Sequence, residues 1–230
     1  MWRGQVSKLN REIDAYIGYF AKQIQDIDSS DASILVKKIA LNTLLDTLAR
    51  ARFPSETGNK KRFIGLIDEC SGWTERDCLS SVLALLLLKE EGLSTGAAMV
   101  YLTSIVDSWS QGEVVTPERD AEFHIAMSLP TTDQEKKVLS DCRYANLVYT
   151  YRNSLVHEYR EPGYAIEFRS DGTNPYYHSM MNEPWQLVLP LRFFIWLAES
   201  CLKGLDVYLK ANRLNPYDCY KFGSAWARNR

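Results

Sequence analysis

Three side chains about two-thirds of the way along the chain have the types and spacing for chemistry. They are Arg152, Asn153 and His157, in the stretch ANLVYTYRNSLVHEYR at 145–160. Of the three histidines in the sequence, only His157 has both an arginine and an asparagine within a helical turn and a half. An imidazole takes up and gives back a proton near neutral pH, so it serves as general acid or base. A guanidinium is a permanent cation with forked donors that match a phosphate. An asparagine amide either fixes an imidazole tautomer or donates to a phosphate oxygen. Together they suit phosphodiester cleavage in RNA without a metal. A base removes the ribose 2′-hydroxyl proton, an acid protonates the leaving 5′-oxygen, and the cation stabilises the crowded phosphate. One such histidine per chain is one short of an acid–base pair, and two chains facing each other would supply the second.

The element that must carry this trio is a helix over 131–161. It opens at TTDQE, a capping-box pattern at Thr131 or Thr132, and stops before Pro162-Gly163. At about 100° per residue, Tyr144, Leu147, Val148, Tyr151 and Leu155 fall within about 100° of one another, an apolar stripe for a core. Asn153 and His157, four apart, stack on the face turned away from that stripe. Arg152 lies on the flank, with a side chain long enough to swing toward the histidine. A histidine on a face that is neither core nor fully polar predicts a second contact surface, such as a dimer interface.

The remaining elements read as scaffold. Leu9, Ile13, Tyr16, Ile17, Phe20, Ile24 and Ile27 recur at helical steps over Ser7 to Ile27. DSSD at 28–31 offers N-caps to a second helix ending near Phe53, with Ile34, Leu35, Ile39, Leu41, Leu44, Leu45 and Leu48 as its core face, so residues 7–53 form an N-terminal helical pair. Pro54 stops it, and SETGN is a loop. A helical elaboration spans 58–130, with helices over Lys60–Cys70, over Asp77–Glu91 ended by Gly92, and over Ala97–Trp109. Gln111 to Pro130 carries no clear pattern. After the motif helix the texture changes. YAIEFR at 164–169 alternates, SDGTNP turns, and 176–181 returns, so a β-hairpin is predicted over 164–181. A last amphipathic helix covers 190–213. The aromatic tail NPYDCYKFGSAWARNR predicts docking rather than a loose end. With no repeat, low-complexity run or linker, 1–230 reads as one mainly all-α domain.

Composition narrows the partners. The 230 residues suffice for a proper core. A hydrophobic content of 46% and charged content of 24% are ordinary for a globular protein. The net charge of −2 makes no global electrostatic case for nucleic acid. The five cysteines are scattered and odd in number, without CxxC. With no export core in MWRGQVSKLNREID, they point to reduced thiols in a cytoplasmic protein. The greasiest run, Val82–Leu88, is far short of the roughly 20 residues a membrane span needs.

Other polar candidates carry less. His124 and His178 lack a second ligand at i+3 or i+4, so no metal site is predicted. The carboxylate pairs Glu12/Asp14 and Asp68/Glu69 read as solvated helix faces. No phosphate-binding glycine loop, GxSxG or cofactor motif occurs, and no cofactor is expected. Most of Tyr149, Tyr151, Tyr164, Tyr176, Tyr177 and Trp185 read as packing residues, although aromatic rings of this kind also stack bases.

The segment YRNSLVHEY resembles the signature of HEPN domains, helical bundles marked by arginine, a polar residue and a histidine a few positions on. The resemblance covers the second helix, the motif helix and the last helix. It implies an endoribonuclease of toxin–antitoxin, CRISPR or anti-phage defence type that needs no metal, with two motifs meeting in a homodimer and RNA as substrate. It gives Arg152, Asn153 and His157 the catalytic positions. It aligns Tyr159 with a tyrosine that a partner antitoxin nucleotidylates in one toxin branch, and Asp46 with an acidic residue that some members carry on the second helix. A regulatory or antitoxin partner is therefore expected, and no membrane. The alternative is a non-catalytic HEPN module that binds RNA, a nucleotide or a protein. The section 58–130 and the hairpin depart from the minimal bundle.

Overall fold

The computed structural model describes residues 2–163, 167, 172–179 and 184–219. Helix α1 spans Trp2–Ser29 and buries Ile13, Tyr16 and Ile24, the helical repeat seen in the sequence. Helix α2, Ile34–Arg52, is capped by Ser33, whose hydroxyl accepts from the Val36 N–H at 3.4 Å. The cap therefore lies two residues beyond the expected DSSD. Leu41, Leu44, Leu45 and Leu48 are buried as expected, but Ile34 is exposed, Leu35 and Ile39 are half-buried, and Lys38 is wholly buried. Helix α3 follows at Asn59–Cys70.

The expected helix over Asp77–Glu91 is shorter. A 3-10 turn at Thr74–Asp77 leads into strand β1, Cys78–Leu79, and then helix α4, Ser81–Glu90. Ser80 is the reason: its hydroxyl accepts from the Leu83 N–H at 3.2 Å and starts the helix late. Helix α5 is Ala97–Asp107. The stretch without a pattern holds a 3-10 turn at Pro117–Arg119, strand β2, Ala121–Glu122, and the single-turn helix α6, Phe123–Ala126. Strand β2 pairs antiparallel with β1, Leu79 opposite Ala121.

The motif helix is two helices rather than one. Helix α7, Asp133–Asp141, begins with the predicted capping box of Thr132 and Glu135, and helix α8, Tyr144–Asn153, follows a break at Cys142-Arg143. Two contacts force the break. Arg143 turns extended to bridge Leu79, and the Cys142 carbonyl accepts from the Ser80 N–H at 3.0 Å, so this backbone joins the β1–β2 sheet. The Arg143 guanidinium is also pulled outward by Asp68 and Asp77. A π-turn, Ser154–Glu158, closes the segment.

Strand β3, Tyr176–His178, pairs antiparallel with β4, Gln186–Val188, with Tyr177 opposite Leu187. The hairpin thus lies further along the chain than expected. Of its expected first strand, 164–166, 168 and 169 fall outside the described residues, as do 220–230 of the tail. The last helix, α9, is Leu191–Asn212.

Two apolar clusters result. The larger is built from α1, α2, α3, α8 and α9, with Trp73 and Tyr177 inserted. Helix α9 lies along it, burying Phe193, Phe194, Leu197, Cys201, Leu205 and Leu209. Each fully buried side chain of this size contributes about 1.5–3 kcal/mol of transfer free energy. At Gly204, α9 meets the backbone of α3 directly: an added Cβ would lie 2.2 Å from the Cys70 carbonyl oxygen. The smaller cluster, in the section 58–130 and α7, holds Leu79, Leu88, Leu102, Ala126 and Leu139. Asp120 ties the two together from a buried position. Its Oδ1 accepts from the Ser81 and Ala121 N–H groups at 2.9 and 3.1 Å, and the Tyr144 and Tyr177 hydroxyls lie 3.0 and 2.9 Å from Oδ2. No helix among the described residues is long and apolar enough to cross a membrane.

Candidate functional site

Helix α8 holds the motif by its apolar face. Tyr144, Val148, Tyr151 and Leu155 are buried as the stripe predicts, while Leu147 is half-buried. This anchoring leaves Arg152, Asn153 and His157 on the outer edge. In a regular α-helix, residues five apart point about 140° away from each other. Here the backbone widens after Asn153: the Tyr159 N–H donates to the Ser154 carbonyl, five residues back, which defines a π-turn. A wider turn brings position i+5 nearly over position i. Arg152 Nη1 accordingly lies 3.2 Å from His157 Nε2.

The arginine is the hub of the cluster. Its Nε donates to Asp46 Oδ2 at 2.8 Å, and Nη2 reaches the same oxygen. Its Nη1 donates to Asn153 Oδ1 at 3.0 Å as well as facing the imidazole. Asp46 comes from α2, the match to the second helix that the sequence suggested. The four named residues are thus brought together, with the Arg152 side chain 11% exposed, Asp46 25% exposed, and His157 open to solvent. Of the two roles expected of Asn153, holding the imidazole is not the one seen: its Oδ1 accepts from the guanidinium.

Hydrogen-bond logic assigns the imidazole its part. A guanidinium only donates, so as a hydrogen bond this contact makes His157 Nε2 the acceptor. A phosphate oxygen arriving at Arg152 Nη1 competes with Nε2 for that donor. Displacement would free the Nε2 lone pair beside the bound anion, the position a general base requires.

Tyr159 stands apart. Its backbone is left-handed (φ 55°) and its ring is 64% exposed, just past the π-turn. The left-handed region costs a residue with a side chain about 1–2 kcal/mol, which marks the turn as structurally enforced. Of the other histidines, His124 is exposed, 3.4 Å from Glu122, and His178 is half-buried on β3. Among the described residues no group of three or more His, Cys, Asp or Glu side chains is placed to hold a metal ion.

The sequence reading missed two sets of residues. Lys38 Nζ is wholly buried, 3.1 Å from the Tyr151 hydroxyl, 3.1 Å from Glu161 and 3.1 Å from Glu167, two turns along α2 from Asp46. The Tyr151 hydroxyl donates to Glu161 in turn. Burial, then the Glu161 charge, pushes the Tyr151 phenol well above its ordinary pKa. A signal existed: Lys38 is in step with Leu41 and Leu45 on the apolar stripe of α2, where a lysine must find anions. The second set, Arg50, Asn59 and Arg62, forms with Arg152 the wall of a cleft between α2 and α3. Its only trace in the sequence is the run of basic residues flanking the SETGN loop.

Comparisons with protein-family models, with curated proteins and with solved structures find no match for this chain.

Proposed function

We propose that the chain is an endoribonuclease of the HEPN type that cleaves RNA without a metal ion, its site completed by the same residues of a second copy. The observation that carries this reading is the contact of Arg152 Nη1 with His157 Nε2 at 3.2 Å on an exposed edge, with Asp46 behind the guanidinium. In this reading Arg152 clamps a non-bridging oxygen of the scissile phosphate. His157 of one copy takes the 2′-hydroxyl proton as that oxygen attacks phosphorus. The partner copy's imidazole, protonated, gives its proton to the departing 5′-oxygen. The products are a 2′,3′-cyclic phosphate and a free 5′-hydroxyl. Asn153 keeps the guanidinium in place, and Asp46 fixes its plane. RNA as substrate, a dimer, and a restraining antitoxin or regulatory partner acting through Tyr159 all belong to this proposal, as does a role in defence.

The experiment is His157→Ala with total RNA as substrate, in EDTA throughout. A positioned proton-transfer group contributes about 100- to 10,000-fold, so cleavage should fall by that much while circular dichroism keeps the helical signal of the parent. Full cleavage by a folded His157→Ala chain would reject the proposal. Binding of RNA without cleavage by the parent chain would instead select the non-catalytic module.

A further inference from the structure

The cleft beside the motif carries a second assignment. It has a volume of about 260 Å³ and lies between α2 and the start of α3, with Arg50, Arg62, Arg152, Asp46 and Asn59 among its walls. Three arginines and one aspartate line it, and Arg152 is engaged with that aspartate. Arg62 is oriented by neutral groups: Nη1 donates to the Glu56 carbonyl at 3.1 Å, and Nη2 donates to Asn59 Oδ1. Among the described residues no carboxylate lies within ion-pair distance of Arg62. Its guanidinium is therefore held in place without a direct ion pair, although Glu56 lies near enough to feel its charge, and a fixed fork is what a forked anion contact requires. With Oδ1 occupied, Asn59 presents its Nδ2 donors. The start of α3 adds little to the field, because Glu56 Oε1 already accepts from the Gly58 N–H at 2.9 Å.

Size and lining decide what enters. Pockets that enclose a whole small ligand measure about 300–1,000 Å³, and this cleft is smaller. No aromatic side chain lines it, so it offers no platform for stacking a base. It suits a phosphate with its sugar, not a nucleobase. The chain as a whole carries −2, so no global field gathers anions there, and a phosphate delivered alongside Arg152 is the natural occupant. We propose that the cleft binds a second phosphate of the same RNA strand, next to the one held by Arg152, and adds affinity without base preference. This rests on the reading of His157 as the cleaving residue for its choice of strand, and its test is made independent of cleavage.

The probe is a 2′-O-methyl RNA oligonucleotide, which lacks the attacking hydroxyl, titrated against the full chain by fluorescence anisotropy over a range of salt. Each phosphate contact on a single strand contributes a slope of about −0.7 in log K against log salt. Arg50→Ala/Arg62→Ala should bind about tenfold or more weaker and lose about 0.7 of slope, equally for purine-rich and pyrimidine-rich oligonucleotides. Arg62→Lys, which keeps the charge but not the fork, should retain the slope and still lose affinity. With cleavable RNA, KM should rise more than kcat falls. An unchanged slope and affinity in the folded double variant overturns the proposal, and so does failure of the parent chain to bind. Equal capture of a polyglutamate peptide of matching charge also overturns it, because the site would then be for acidic protein. If His157→Ala leaves cleavage intact yet the slope still falls in the double variant, the cleft stands and the nuclease reading alone is lost.

Discussion

Helix α2 makes two charged contacts with the motif segment, and they differ in one respect. At Lys38 the cation is wholly buried and shared among Glu161, Glu167 and the Tyr151 hydroxyl, all at 3.1 Å. At Asp46 the cation belongs to Arg152, sees one carboxylate, and turns its remaining donors to Asn153 and the exposed His157. The first contact is closed: an ammonium has three donors, and all three are spent. The second is open, because Arg152 Nη1 faces a group that a stronger acceptor could displace. The closed contact fixes where the chain leaves the π-turn, and the open one keeps a cation available at that place. A spent cation and an open donor thus sit at two positions along one helix.

The sharpest way to break this contrast is Lys38→Met. Removing one partner of a buried ionic cluster leaves its carboxylates uncompensated, a loss of about 3–5 kcal/mol for a fully buried pair. Glu161 is 31% exposed on its side chain and regains some water, so about 3 kcal/mol is expected in urea unfolding. Asp46→Asn should cost less stability. The pair is largely buried, its side chains 11% and 25% exposed. Asn keeps an acceptor for the guanidinium, however, so a cost of about 1–2 kcal/mol, below that at Lys38, is expected. RNA cleavage should nevertheless fall about tenfold or more, because a guanidinium misplaced by an ångström has that order of effect. If the two substitutions have the same profile, the contrast is wrong.

The smallest effect is in the alkaline range. The folded-state pKa of Tyr151 is raised by burial and by Glu161, so the folded chain keeps a proton that the unfolded chain gives up above about pH 10. Stability contributed by this phenol is complete below that pH and declines as pH rises through it. Tyr151→Phe should cost about 1 kcal/mol at neutral pH for the lost hydrogen bonds and should flatten part of that alkaline decline, read from urea midpoints between pH 8 and 11.

The contrast also explains what the sequence could and could not reveal. Periodicity located α1, α2, α3 and α9 and the apolar stripe of α8, because burial imposes a repeat on contiguous residues. Thr132 and Glu135 announced the start of α7 for the same local reason. The break at Cys142-Arg143 was illegible, since its cause is a long-range partner: β1 recruits the Cys142 carbonyl and Arg143 backbone. Ser80 hid the true start of α4 inside a run that is helical in composition throughout. At the site, Arg152, Asn153, His157 and the weaker match Asp46 were all named from the chain alone and lie in contact. The π-turn that aligns Arg152 with His157 left no mark, because a regular helix and a widened one use the same residue types. Lys38 was not singled out, though its place on the stripe argued for buried anionic partners. Arg50 and Arg62 come from two helices and meet only when those pack.

The bare contact at Gly204 reaches further than its own helix. Nothing but main chain separates α9 from the end of α3 there, so a single methyl group would lever α3 outward like a wedge under a beam. Asn59 and Arg62 ride on the far end of that beam. A position distant from the cleft in sequence therefore acts as its caliper, and the cleft's width is set by a hydrogen atom where every other amino acid has carbon.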